Sequence, residues 1–111
     1  MIWIAFLLLA APPVSADDDS LEMKQAAMCF MAGHDGHNAL PDGPEHVYAR
    51  RPWSLLAAQA SKRLLEQLVA EGQTELRDGL MDDAAAAVER VGGRNVVARA
   101  CWKAYGIEAP E

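Results

Sequence analysis

The sequence predicts a small all-α bundle of about four helices stapled by one disulfide. Three observations carry that expectation. The segments with a clear apolar rhythm repeat at about 100° per residue, and none alternates with a period of two. Gly-rich breaks separate them at Gly33, Gly72 and Gly92-Gly93. Finally, the chain holds two cysteines, Cys29 and Cys101, one early and one late. An even count in an oxidising compartment predicts a bridge, and only one pairing exists.

The first stretch, MIWIAFLLLAAPPVSA, reads as a signal peptide over residues 1–16. An unbroken apolar run from Ile2 to Ala11 precedes two prolines, and Val14-Ser15-Ala16 offers small residues to a signal peptidase. The run is about half the roughly 20 residues that span a bilayer, so no stable membrane anchor is expected after processing. Residues 17–111 then form a single helical domain, periplasmic or secreted. All ten Lys and Arg and all sixteen Asp and Glu lie in that part, leaving a net charge of −6. An acidic domain without a basic stripe lacks the phosphate neutralisation that nucleic-acid binding requires, which excludes that class.

Asp19, followed three residues later by Glu22, predicts a capping box and a first helix to Ala32 that stops at Gly33. Its second half, AAMCFMA, has no polar side chain and is expected to be buried all round, with Cys29 inside. Residues 33–46 read as a long loop, rich in Gly, Pro, Asn and Asp. A short helical turn from Pro44 through Ala49 follows. Pro52 sits in the first turn of the next helix, Trp53 to Glu71, which Gly72 closes.

That helix is the expected centre of the bundle. Trp53, Leu56, Ala57, Ala60, Leu64 and Leu68 share one apolar stripe, and Ala58, Leu65 and Val69 form a second beside it. Two stripes predict neighbours on both flanks. Thr74 caps a third helix from Glu75 to Val91, whose start Gly79 delays to as late as Leu80. Asn95 caps a fourth, Val96 to Tyr105, with Val97, Ala100, Cys101 and Ala104 inward and Trp102 on the opposite flank. The tail IEAPE is expected to fray.

Signal peptide, helical domain and one early-to-late bridge together resemble the architecture of periplasmic acid-stress chaperones and of helical immunity proteins that block cell-wall-degrading toxins. The cysteine surroundings, MCFMAG and RACWKAYG, match neither group residue by residue, so no functional residue is carried over.

Candidate chemistry concentrates around the loop. His34, His37 and His46 lie there, and Met28, Met31, His34 and His37 recur every three residues. Thioether with imidazole suits copper, while the three histidines with Asp35 suit zinc, so a periplasmic metal-binding protein is one alternative. Ser54 and Ser61 have no His or Asp at helical spacing, and no CxxCH attaches a haem. The expectation is a non-enzyme without cofactor. An acid-responsive chaperone is the second alternative, since ten Lys and Arg with three His would dominate once the carboxylates are protonated.

The favoured expectation is a binding or inhibitory module with a protein partner. The segment from His34 to Trp53 gathers Tyr48, the Arg50-Arg51 pair and Trp53, and Trp102 offers a further exposed ring. From Val47 to Arg63 there are four cations and no acid, which suits an acidic partner.

Overall fold

A computed structural model describes residues 19–110 of the chain; the signal segment expected at 1–16 lies outside the described residues. Four α-helices follow one another: α1 (Leu21–Ala39), α2 (Val47–Ala70), α3 (Leu80–Arg90) and α4 (Arg94–Tyr105). A 3-10 turn at Pro44–His46 leads directly into α2. The described residues contain no strand, and Cys29 is bonded to Cys101 with an S–S distance of 2.09 Å. No described helix is long and apolar enough to cross a membrane.

α1 begins one residue later than the capping box suggests. Ser20, not Asp19, is the N-cap, and its Oγ accepts from the Met23 N–H at 3.1 Å. Asp19 is drawn away by Arg77, whose Nε donates to its carboxylate at 2.8 Å. Arg77 also donates to Asp83 at 2.6 Å, so one guanidinium ties the start of α1 to the first turn of α3. The Ser20 hydroxyl in turn donates to Glu71 at the end of α2.

The larger correction concerns residues 33–46. α1 does not stop at Gly33 but runs through Gly33 and Gly36 to Ala39. A Cβ on Gly33 would stand 2.7 Å from the Ala57 backbone nitrogen, and one on Gly36 would stand 1.9 Å from Cε3 of Trp53. These glycines let α2 approach, each at a helix-propensity cost of about 1 kcal/mol. The stop comes from Pro41. Leu40 before it is extended, at φ −92° and ψ 143°, as the residue preceding a proline prefers.

α2 also starts earlier than expected, at Val47, leaving Pro52 inside the helix. The proline lies one turn beyond the unpaired N–H groups of the helix start, so it leaves the Tyr48 carbonyl without its intrahelical donor. α3 takes the late start, with Gly79 at φ 88°.

The hub of the bundle is α1 rather than α2. It packs against all three other helices, while α2 and α3 bring no Cα pair within 8 Å of each other. Ala26, Ala27, Ala32, Gly33 and Gly36 are buried along it, and such small side chains admit neighbours on several sides. Around the bridge, Leu56, Ala60, Val88, Val97, Ala98 and Trp102 form one core cluster. Met23, Leu64, Leu68, Leu80 and Ala84 form a second, nearer the Ser20 end.

α4 is rotated relative to expectation. Val97 and Cys101 point inward as predicted, but Ala98 and Trp102 join them, and Ala100 and Ala104 are exposed. Burying an indole removes far more apolar area from water than burying two methyl groups, which decides the rotation.

The Glu71 carboxylate gives the fold an acid-sensitive contact. Donation from Ser20 and then from Gln67 holds it below the ordinary value of 4.5. A depressed carboxylate stabilises the fold above its unfolded pKa, and that contribution is lost as pH falls through the folded one. Glu71→Gln is therefore expected to lower the urea midpoint at neutral pH, with variant and parent converging as pH falls through the depressed Glu71 value. A constant difference between the two across pH 3 to 7 would assign the effect to something other than this ionisation.

Candidate protein-binding face

Five of the eight large apolar side chains exposed among the described residues, Val47, Tyr48, Leu55, Leu65 and Val69, lie on α2. Because α1 and α4 take only one side of it, the second stripe expected to be inside is open to solvent. Leu55 is 41% exposed, Leu65 59% and Val69 76%, with Ala58 exposed between them. Tyr48, 86% exposed, lies at the N-terminal end of the same side. Adding Arg51 and Lys62, both exposed, completes a run at 48, 51, 55, 58, 62, 65 and 69 whose spacings alternate three and four. That alternation keeps all of them on one seam of a helix.

The residues expected to bind a partner divide between this face and the interior. Tyr48 and Arg51 remain on the open face. Arg50 turns the other way, its Nη1 donating to Asp42 at 2.9 Å and its Nε to the His37 carbonyl at 3.4 Å. It anchors the α1–α2 connection. Trp53 is half-buried, packed edge-on against Trp102 with centroids 4.8 Å apart at 66°. Trp102, expected to be exposed, is only 3% exposed, and its Nε1 donates to the Pro52 carbonyl at 3.0 Å. Both indoles serve the core.

The metal candidates do not converge either. A continuous helix turns 300° every three residues, so each step in the series Met28, Met31, His34, His37 drifts by about 60°. Met28 and His37 consequently stand about half a turn of circumference and roughly 13 Å of rise apart. Met28 and Met31 pack beside the core, whereas the His34 ring stacks on Phe30 at 5.7 Å and hydrogen-bonds Asn38. His37 Nδ1 lies 3.2 Å from Arg50 Nη2, and His46 lies beside Glu45 at 3.7 Å. Among the described residues no three His, Cys, Asp or Glu side chains gather where a metal ion could be held.

One feature had no forerunner in the sequence. A groove of about 570 Å3 runs between α2 and α4 with α1 as its floor, lined by Met28, Val97, Tyr105 and the Cys29–Cys101 bridge among others. Arg63 on its α2 wall sits 4.2 Å above the Tyr105 ring. Burial raises the Tyr105 phenol above its ordinary value, with Arg63 pulling the other way. Arg63 is thus engaged, unlike Arg51 and Lys62 on the neighbouring face. Compared with known proteins, the chain matches no family model, no curated protein and no solved structure.

Proposed function

We propose that this chain is an exported helical binding module that acts through protein–protein contact, with the outer face of α2 as its docking surface. The observation that carries the reading is the open stripe of Leu55, Ala58, Leu65 and Val69, extended by Tyr48. Leu and Val in such a row lose apolar solvent contact only if something covers them, and within the described residues nothing does. Tyr and Arg at its N-terminal end belong to the residue types that dominate binding energy. Export is supported by the leader-like residues 1–16 and by a bridge of the kind that persists in oxidising compartments.

The test is site-specific photocrosslinking of the full chain in its own cell. A photoreactive residue at Leu65 is expected to give a discrete adduct, and one at Ala86, exposed on α3, is expected to give none. Leu55→Asp should abolish the Leu65 adduct while lowering stability by only about 1 kcal/mol and leaving the helical circular dichroism intact, since Leu55 is 41% exposed. No adduct at Leu65, or the same adducts from both positions, would remove the docking role of this face.

A further inference from the structure

We infer that the occupant of the α2 face is an acidic amphipathic α-helix. This rests on the reading that the face docks a protein, and it adds the class of partner.

The spacing specifies a helix. Positions alternating by three and four from Tyr48 to Val69 form a seam about 30 Å long, the length of roughly 20 helical residues. An extended strand repeats every two residues and cannot match such a seam over that distance. A second helix can, laying its side chains between those of α2. Ala58 shapes the middle. It is exposed, and its methyl group is the smallest side chain of the seam, so a partner's bulky side chain would meet least obstruction there.

Charge specifies the chemistry. Among the four cations between Val47 and Arg63, Arg50 is paired with Asp42 and Arg63 lies over Tyr105. Arg51 and Lys62 remain on the seam, with no ion-pair partner among the described residues. No acid occurs from Val47 through Leu65. A second copy of this chain would bring another Arg51 and Lys62 into the same seam, which like-charge repulsion opposes. A helix with carboxylates facing them gains two charge-assisted contacts instead. Arg51 and Lys62 are eleven positions apart, about three helical turns, so the partner needs two acids on one face at that separation. All sixteen acids of the chain, whose net charge is −6, lie outside this acid-free segment, and they would repel such a helix elsewhere and steer it to this face.

The experiment uses the full chain and two synthetic peptides of about 24 residues, each monomeric at the working concentration. Both carry the same Leu seam; one has Glu and the other Lys at two positions three turns apart on it. Titration calorimetry is expected to show the Glu peptide binding at least about tenfold more tightly. The double substitution Arg51→Glu/Lys62→Glu should reverse the preference, and Leu55→Asp/Leu65→Asp should abolish binding of both peptides. Equal binding of both peptides, or a preference that survives the charge reversal, overturns the acidic class while leaving the face as a docking surface. Binding of neither peptide, with a crosslinked protein still found at Leu65, overturns the helical class. Sedimentation showing a parent dimer that Leu65→Asp disperses assigns the face to a second copy and overturns the inference.

Discussion

Removing the Cys29–Cys101 bridge, by reduction or by Cys29→Ala/Cys101→Ala, is expected to lower the unfolding free energy by about 4 kcal/mol. The magnitude follows from the 72-residue separation of the two cysteines, which restricts the unfolded chain over most of its described length. A single domain of this size has only about 5–15 kcal/mol in total, so the change is a large share. The bridge also joins α1, the hub, to α4, the last helix, with 5.8 Å between the two Cα atoms. Without it, α4 is held by the Trp102 contacts and by its packing on α1, α2 and α3. Urea denaturation followed by far-ultraviolet circular dichroism, with and without reductant, measures the change. A loss under about 1 kcal/mol would mean that the helices hold each other and that the bridge is dispensable for stability.

The class, the bridge and most helices were legible in the sequence because each rests on local chemistry. Leu80, Ala84 and Val88 repeat at helical spacing whatever surrounds them, and two cysteines allow one pairing. What failed depended on who the neighbour is. Gly33 looks the same in a sequence whether it ends a helix or receives another helix's backbone, and only the proximity of Ala57 distinguishes the two. Trp102 has a similar ambiguity, settled by Pro52 and Trp53 from a distant part of the chain. For the exposed face of α2, Tyr48 and Arg51 are legible by residue type and Arg50 is not, because the bend after α1 brings Asp42 and His37 to it. The Leu65 and Val69 stripe is apolar in the sequence, which predicts an interior position, yet both side chains are exposed. An apolar stripe shows that something should cover it, and it does not say whether the cover comes from the same chain.

Replacing Gly33 or Gly36 by Ala tests the account of how α1 and α2 meet, since it predicts the opposite sign from helix propensity. At an open mid-helix position Gly→Ala stabilises by about 0.5–1 kcal/mol. At Gly33 the new methyl group would stand 2.7 Å from the Ala57 nitrogen and 3.0 Å from the Trp53 carbonyl oxygen. These are backbone atoms of a helix and cannot rotate aside, so α2 must shift outward and loosen the packing of Leu56 and Ala60. Overpacking of this kind costs about 1–3 kcal/mol, occasionally more, which leaves a net loss of about 1 kcal/mol after the propensity gain. Gly36→Ala should cost at least as much, because its methyl group would fall within the Trp53 ring and Trp102 packs against that ring. Trp53→Leu offers the cross-check: it removes the obstructing ring, so Gly36→Ala should be less harmful in its presence, a coupling that a double-mutant cycle in urea isolates. Stabilisation by Gly33→Ala in the parent, or strict additivity of Gly36→Ala with Trp53→Leu, would show that the two helices do not need glycine to approach.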